Sequence, residues 1–549
     1  MILIEARSMD GLRRSDPPSL AACTECIVAA ETPGQPLTCP LHCPSLWIAC
    51  SDHQSIRPKW LQLMFRLLQP PNSSTPPDAS SIMVFGKRWV IFEYANPTDA
   101  PPYTCISYAW GDTKVRHFLN DGQPMSARTV PSLEAAVAST NSHENWARNV
   151  QFSYDGEATR EEAEQTAALN ASRALWIDAL CVPTYEPARS SCLREMGWIF
   201  SAAFQVIVVL ERQCSGVLRC IGRSEKVDDF ALLALEGEKW VRRAWTYQEA
   251  VNSRALYFVA EGEENLIVSG QDFLRSITDA IEDYKLRNAF SDFNWILNHS
   301  GLSDIELLLA DYRIADFADR SAYQVMSVIG QRFTERPDDY FYSMIGSITT
   351  TSSQTEESEC PHPAEYFMRV CEQKRDFSFI YNTAQRSSEV GQGWRPLTEQ
   401  FSAVLPRLLI FGKGEPGVRE STHLELEKMF VPVTGAISAD ALKAASFFMG
   451  LQSQGLPAEA IAIGVLEKMR VLGFTGCGEY LEFETGFFFP QLKPQISADL
   501  FVAVSCGVDW VRGGPGLLLR SSSTDFHDFV DVGAFVGRTP KSGQSIKIR

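Results

Sequence analysis

The sequence predicts an α/β fold, with a mostly parallel sheet and helices on both of its faces. Short apolar segments rich in β-branched and aromatic residues recur along the first half of the chain, as buried strands require. Longer, helix-like segments lie between them. Strands that alternate with helices favour a parallel sheet whose two faces are covered. The predicted strands are Met83–Phe92, Tyr103–Tyr108, Leu175–Asp178, Val206–Leu210 and Ala255–Val259.

The predicted helices of this α/β region are Ser132–Ser139, Glu161–Ala174, Ser191–Ala203 and Lys239–Val251. A helical segment follows, because the periodicity from Asp272 to Met344 is mainly helical. The last third of the chain is predicted to be a mixed α+β region. Its predicted elements are helices at Asp440–Phe448 and Ala458–Val471 and extended segments at Leu481–Phe489 and Leu500–Cys506.

Composition and charge narrow the class of protein. The 549 residues suffice for about two to four domains. The net charge of −17, without any block of Lys and Arg, argues against binding to nucleic acid or to an anionic membrane surface. Apolar runs such as Val206–Leu210 are too short to span a membrane, and we find no apolar signal peptide. We therefore expect a cytoplasmic protein with reduced thiols.

Two polar segments divide the chain. Pro70–Pro77 (PPNSSTPP) has the composition of a stiff linker, and Thr349–Ser358 that of a loop. The predicted organisation is a Cys- and Pro-rich region at 1–80, an α/β domain with a helical extension at 83–350, a linker at 351–363, and the mixed region at 364–549.

The amino-terminal region contains paired cysteines. Cys23 and Cys26 are followed by Cys39 and Cys43. Thiolate pairs at this spacing can close a tetrahedral zinc site, so these four residues are candidate zinc ligands. The alternative is a set of reduced cysteines in a small packed module.

The first of three motifs is Ser107–Asp112 (SYAWGD), which spans the end of a predicted strand and the turn after it. In an open parallel sheet, ligands bind beyond the carboxyl ends of the strands. Gly111 permits a tight turn or a positive φ. Trp110, Gly111 and Asp112 are therefore candidate ligand-binding residues. The alternative is that Asp112 only caps the turn and Trp110 packs over the sheet.

The second motif is Leu175–Cys181 (LWIDALC), with the same layout of buried strand and polar strand end. Asp178 is a candidate ligand contact, although an Asp at this place equally suits a helix cap. Cys181 has no His near it in the sequence to activate it. We interpret it as a buried, inert thiol rather than a nucleophile.

The third motif is Trp240–Glu249 (WVRRAWTYQE), predicted to be helical. Trp245 and Glu249 are four residues apart and share a helix face, which Arg242 joins. A carboxylate beside an aromatic wall is partly desolvated, which raises its pKa and suits acid–base or electrostatic catalysis. Glu249 is thus the candidate catalytic residue. The alternative is an Arg–Glu ion pair on a packed structural helix.

Together, and in this order, the three motifs resemble the signature of fungal heterokaryon-incompatibility (HET) domains. The third motif matches at Arg243, Trp245, Gln248 and Glu249, and the resemblance covers about residues 83–350. It implies a fungal source and an immune-like role in self/non-self recognition and programmed cell death. The partners implied are other proteins of incompatibility signalling, or further copies of the same chain.

HET domains are similar in turn to TIR domains, which have a flavodoxin-like α/β core. Some TIR domains cleave NAD with a glutamate that lies four residues after a tryptophan in a helix, and Trp245 and Glu249 have that spacing. The likeness implies a flavodoxin/TIR-like sheet, NAD as substrate and Glu249 as the catalytic carboxylate. It also implies a ligand cleft, whose candidate residues are Trp110, Gly111, Asp112, Asp178, Arg243 and Trp245.

Two alternatives remain beside NAD cleavage. The family usually continues its second motif with Ile-Asn-Gln, whereas this chain has Val182–Thr184 (VPT), and Pro183 lacks a backbone donor. This departure favours a non-catalytic interaction scaffold. The cysteine pairs favour a zinc-binding regulatory protein.

Overall fold

A computed structural model describes residues 65–549 of the chain, except 96–98, 117–123, 142–172, 264–265, 289–294, 296–297, 315–319, 330–331, 350–361, 402–409, 413, 433, 439–479, 493–496, 498, 511–512, 524 and 541. The predicted helices Asp440–Phe448 and Ala458–Val471, and residues 161–172 of the helix predicted at Glu161–Ala174, lie outside the described residues.

The first half of the described chain contains ten strands. They are β1 (Phe65–Gln69), β2 (Ser81–Val84), β3 (Lys87–Tyr94), β4 (Thr104–Tyr108), β5 (Lys114–Arg116), β6 (Pro124–Ser126), β7 (Leu175–Ile177), β8 (Gln205–Leu210), β9 (Leu256–Ala260) and β10 (Val268–Ser269). Strands β5 and β6 pair with each other. The other eight form one sheet in the order β10-β9-β8-β4-β7-β1-β3-β2.

This sheet is mixed, so the prediction of a mostly parallel sheet is only partly right. Strands β7, β4, β8 and β9 are parallel neighbours and confirm four of the five predicted strands of the α/β region. Strands β10, β1, β3 and β2 are antiparallel additions at the two sides. The central strands β4, β7 and β8 are buried along their whole length, which explains their largely apolar sequences. The flavodoxin/TIR-like arrangement stays a prediction.

The single strand predicted at Met83–Phe92 is wrong, because a hairpin turn lies inside it. Phe85 and Gly86 both have positive φ, 48° and 68°, and connect β2 to β3. Two consecutive positive φ values define the type I′ turn, which matches the twist of the two strands. Apolar residues before and after the turn, Met83–Phe85 and Trp89–Phe92, make the segment resemble one strand.

Thirteen helices are defined in the described residues. They are α1 (Thr129–Asn141), α2 (Asp178–Cys181), α3 (Ala188–Arg194), α4 (Met196–Ala202), α5 (Ser215–Gly222), α6 (Asp229–Glu236), α7 (Lys239–Arg242), α8 (Ala244–Val251), α9 (Gly270–Arg287), α10 (Ser300–Ile314), α11 (Ala322–Ile329), α12 (Pro337–Ile348) and α13 (Pro363–Gln373). The helical character predicted for 272–344 is thus confirmed. None of these helices combines the length and the apolarity that crossing a membrane requires.

The helix predicted at Ser191–Ala203 is interrupted at Glu195, which has φ −87° and ψ 1°. Its amide is shared between the carbonyls of Ser191 and Cys192, each at 3.2 Å. Such sharing is common where an α-helix tightens at its end. The segment therefore forms α3 and α4 rather than one helix.

Helices cover both faces of β4. Successive side chains of a strand point to opposite faces. Ser107 donates to Glu249 in α8, whereas the hydroxyl of Tyr108 contacts that of Thr129 in α1 at 2.7 Å. Helices α8 and α1 therefore lie on opposite sides of this strand, as the sequence predicted.

The described carboxyl-terminal region contains eleven strands, and nine of them form a second sheet. Its strands are β11 (Ile410–Gly412), β12 (Gly417–Arg419), β13 (Leu424–Phe430), β14 (Thr434–Ser438), β15 (Tyr480–Phe483), β16 (Gly486–Pro490), β17 (Leu500–Ser505), β18 (Val508–Trp510), β19 (Gly514–Ser521), β20 (His527–Gly537) and β21 (Gln544–Ile548). Strand β21 pairs with both β13 and β20, so that β13, β17, β19, β20 and β21 close a circuit of pairings. Strands β11 and β18 pair separately.

The two sheets share one hydrophobic core. Buried residues from Phe65 in β1 to Ile548 in β21 belong to a single contiguous cluster. Strand β1 lies within the segment predicted as the amino-terminal region 1–80, yet it pairs with β3 and β7 of the first sheet. The folded unit therefore begins before residue 80.

Candidate functional site

The centre of the site is a buried hydrogen-bond chain at the carboxyl end of β4. The indole nitrogen of Trp240 donates to Ser107 Oγ at 2.6 Å, and Ser107 Oγ donates to a carboxylate oxygen of Glu249. All three side chains are buried, and Glu249 is 6% exposed. The chain thus fixes the orientation of the Glu249 carboxyl group.

Burial changes the acidity of Glu249. It raises the pKa of this carboxyl to about 8, and the nearby charge of Asp178 acts in the same direction. The hydrogen bond from Ser107 and the charge of Arg243 lower the pKa and offset part of this effect. A carboxyl that titrates near neutral pH is suited to acid–base chemistry.

Asp178 lies near this carboxyl, and Trp110 contacts Asp178. The indole nitrogen of Trp110 donates to Asp178 Oδ2 at 2.8 Å, and the Ala179 amide donates to Oδ1 at 2.6 Å. Burial raises the pKa of Asp178, while the charge of Arg243 partly opposes this rise. Asp178 therefore begins α2 and, together with Glu249, forms a buried acid cluster. Its role as a ligand contact stays a prediction.

The charge of Arg243 lowers the pKa of both acids. The helix predicted at Lys239–Val251 breaks at this residue. Its backbone is extended, with φ −85° and ψ 140°, and separates α7 from α8. The Ala244 amide donates to the carbonyl of Phe333 at 3.0 Å, and the Phe333 amide donates to that of Arg242 at 2.7 Å. The hydroxyl of Thr246 donates to the carbonyls of Trp240 and Arg243. The single helix was wrong, because a distant strand-like segment pairs with its backbone.

The break also means that one predicted helix face, shared by Arg242, Trp245 and Glu249, does not form. Arg242 is in α7, so it does not share a helix face with Trp245 in α8. The ring of Trp245 stacks on that of Tyr342 with centroids 6.5 Å apart. Burial raises the pKa of Asp339, and a hydrogen bond with Trp245 offsets part of this rise. Trp245 thus contacts α12, whereas Glu249 contacts β4.

Asp112 stands apart from the acid cluster. Its side chain is 93% exposed and its Oδ2 pairs with Lys239 Nζ at 2.8 Å, which lowers its pKa. Of the two alternatives for Gly111, a tight turn or a positive φ, the structure excludes the positive φ. Its amide donates to Ser126 Oγ at 3.1 Å, and a Cβ there would lie 3.2 Å from Arg128 Cδ. Gly111 therefore packs closely against the side chain of Arg128.

The cysteine candidates divide into two groups. Cys181 is fully buried, and burial raises its pKa to about 12, which fits an inert thiol. Within the described part of the chain, no group of three or more His, Cys, Asp and Glu residues could hold a metal ion. The candidate zinc ligands lie outside the described residues, so zinc binding stays a prediction. They are Cys23, Cys26, Cys39 and Cys43.

Two members of the site are not among the residues predicted from the sequence. They are Ser107, in the first motif, and Trp240, in the third. A signal for Ser107 exists, since it is a polar residue inside an otherwise apolar buried strand. Buried polar groups are nearly always hydrogen-bonded, so such a serine predicts a polar partner.

Replacing Ser107 by Ala is expected to destabilise the protein by roughly 1–3 kcal/mol, because the buried Trp240 N–H and Glu249 carboxyl both lose their partner. Urea denaturation at pH 7 measures this loss. The matched control is Ser343→Ala, which removes an equally buried hydroxyl that only bonds the carbonyl of Tyr340 in its own helix. Equal losses of stability in the two variants would contradict a special contribution of the Trp240–Ser107–Glu249 hydrogen bonds.

A separate groove of about 790 Å³ lies between the loop after α5, strand β10 and helix α9. Its charged residues are largely paired with one another, as in Lys226 with Asp283 and Arg275 with Asp272. None of the three motifs lines it. The candidate site is therefore the acid cluster rather than this groove.

The fold and the site define an α/β protein with a buried acid cluster at the carboxyl ends of its parallel strands. Residues 103–221 match the family model described as Heterokaryon incompatibility protein (HET), so this part of the chain is a HET domain. The match includes the first two motifs and ends before the third. Comparison with curated proteins found no match, and comparison with solved structures found none.

Proposed function

We propose that this HET-domain protein acts in self/non-self recognition and cell-death signalling, and that it does so by cleaving NAD at the acid cluster. The observation that carries the proposal is the Glu249 carboxyl, held by Ser107, with its pKa raised to about 8 beside Asp178 and Arg243. Titratable groups perturbed by burial and by specific charges concentrate at functional sites.

The reaction breaks the bond between the nicotinamide nitrogen and C1′ of the ribose. The bonding electron pair stays on the nicotinamide nitrogen and neutralises its positive charge. The ribose becomes oxocarbenium-like, which an adjacent carboxylate stabilises as in glycoside cleavage. Water adds at C1′ and releases one proton, so the products are nicotinamide and ADP-ribose.

The charges of the surrounding residues complement the cationic nicotinamide ring and the anionic pyrophosphate of NAD. Asp178 places a second negative group beside Glu249, near the cationic ring of the substrate. Arg243 provides the positive charge that the pyrophosphate of NAD would require. Trp110, which is anchored to Asp178, provides an aromatic surface on which a base can stack.

The TIR-like spacing of Trp245 and Glu249 also supports the proposal, as an analogy between families. In this chain Trp245 stacks on Tyr342, so Trp110 is the better candidate for contact with a base. The location is proposed to be the cytoplasm, where NAD is available.

Incubation of the full chain with NAD is expected to release nicotinamide, and Glu249→Gln is expected to reduce the rate by at least about 10³-fold, since the oxocarbenium-like state loses its counter-charge. Nicotinamide is measured by chromatography. The control is Glu427→Gln, which alters an exposed carboxylate paired with Arg375 in the second sheet. Equal rates for Glu249→Gln and wild type would refute the assigned role.

The rate should also depend on pH. The ionised form of Glu249 is the stabilising one, so the rate is expected to rise with pH until the pKa of about 8 is passed.

A second candidate function is a non-catalytic interaction scaffold. The observation that favours it is the burial of Glu249 at 6% exposure, together with the packing of Trp245 against α12. In this case Glu249→Gln would retain cell-death activity in the fungal host while the wild-type protein releases no nicotinamide.

A further inference from the structure

Arg332 contacts the backbone of the third motif at its break. Its Nη1 donates to the carbonyl of Val241 at 2.6 Å and to that of Arg243 at 3.3 Å, and its Nη2 donates to that of Asp304 at 3.1 Å. The guanidinium is buried and lies 5.5 Å from the ring centroid of Tyr247 in α8. One planar group thus binds three separate carbonyls around the start of α8.

The next residue continues this contact. Phe333 pairs with Arg243 as an isolated parallel bridge, through the two backbone hydrogen bonds to Arg242 and Ala244. Residues 332–333 therefore hold both sides of the extended peptide at Arg243. Thr246 holds the same peptide from within α8.

Arg320 performs the corresponding contact at the other end of α8. Its guanidinium donates to the carbonyl of Val251 and to the side chain of Asn252, both at 2.9 Å. It is buried like Arg332 and binds backbone carbonyls in the same way. The two arginines flank α11 and differ chiefly in which end of α8 they hold.

We propose that Arg332 is a positioning residue of the Glu249 site, which fixes the extended backbone of Arg243 so that the charge of Arg243 faces Glu249 and Asp178. The activity part of this inference rests on the proposed NAD cleavage, but its structural part does not. A lysine cannot replace Arg332, because a single ammonium lacks the planar fork that reaches three carbonyls.

The groups that face Glu249 come from three elements. They are Cys105 of β4, Asp178 of α2, and Arg243 at the start of α8. Of these, only Arg243 is cationic. If Arg243 moves away, the Glu249 carboxyl holds its proton to higher pH, because the one opposing charge is lost.

The test compares Arg332→Lys with Arg320→Lys in the full chain. The titration of Glu249 is obtained from the pH dependence of the free energy of unfolding, as the difference between each protein and its own Glu249→Gln partner. Both variants are expected to lose stability. Only Arg332→Lys is expected to shift the titration upward, by about one pH unit, since the loss of one nearby charge has this magnitude.

A shift of equal size in Arg320→Lys, or none in Arg332→Lys, overturns the inference. If Arg332→Lys does not fold, Thr246→Val tests the same break, because it removes the hydroxyl bonds to the carbonyls of Arg243 and Trp240 while keeping a similar shape. The same upward shift is expected, and its absence overturns the inference. The pH profile of nicotinamide release should move with the titration. Failure of the wild type to release nicotinamide would refute the proposed function alone, since the unfolding data still test Arg332.

Discussion

The Glu249→Gln variant is expected to gain stability relative to the wild-type protein as the pH rises from about 4.5 to about 8. Folding raises the pKa of this carboxyl from 4.5 to about 8. A group of this kind stabilises the folded state at low pH, where it is protonated, and this contribution is lost as the pH rises through the folded pKa. The difference between the two proteins should change by about 5 kcal/mol across this range, because each pKa unit corresponds to about 1.4 kcal/mol.

Urea denaturation at several pH values between 4 and 9 measures this effect. Other buried acids, such as Asp304 and Glu415, also have raised pKa values, but they are present in both proteins and cancel in the difference. Glu427→Gln, which changes an exposed carboxyl paired with Arg375, is the matched control. A flat difference for Glu249→Gln would mean that this carboxyl is ionised and well solvated in the folded protein.

Replacing Gly197 by Ala is expected to destabilise the protein by about 3 kcal/mol or more. A Cβ at this position of α4 would overlap the carbonyl oxygen of Gly346 and lie 2.7 Å from its Cα, with the carbonyl oxygen of Thr349 at 2.8 Å. These are backbone atoms, so no change of side-chain rotamer relieves the overlap. Helices α4 and α12 must separate, and overpacking of this kind costs at least 1–3 kcal/mol.

Gly216→Ala is the matched control, because Gly216 is likewise the second residue of a helix, α5. A Cβ there would meet only the Ala231 Cβ, at 3.9 Å. This substitution should stabilise the protein slightly, by about 0.5–1 kcal/mol, because alanine favours the helix. Thermal or urea unfolding of both variants decides the point. Tolerance of Gly197→Ala would show that α4 and α12 are less closely packed than described.

The parts of the fold that the sequence predicted well depend on local patterns. Strands β4, β7, β8 and β9 are buried, so each leaves an apolar, β-branched run that identifies it. The break at Arg243 left no such trace, because it is produced by Arg332 and Phe333, about 90 residues downstream. Nothing in the helical pattern of Lys239–Val251 reveals a partner so far away.

The site residues also divide into those that local patterns predict correctly and those whose position depends on distant contacts. Glu249, Asp178, Trp110 and Arg243 were selected from motifs, and the structure brings them together. Asp112 was selected on the same ground, yet its turn directs it to Lys239 and the solvent. The direction of a side chain in a turn depends on the tertiary contacts of that turn, here those of Ser126 and Arg128, which single-chain patterns do not encode.

The start of α11 has a consequence for how the HET domain can be isolated. The backbone amide of Ala322 donates to Asp376, and that of Tyr323 donates to Ser378 Oγ at 2.8 Å, so residues after α13 cap this helix. A fragment that stopped at residue 350 would leave these amides uncapped and expose the apolar surface that α12 and α13 share. The segment that carries the family motifs is therefore shorter than the unit that folds independently. A transfer of this segment to another protein would have to include the second sheet.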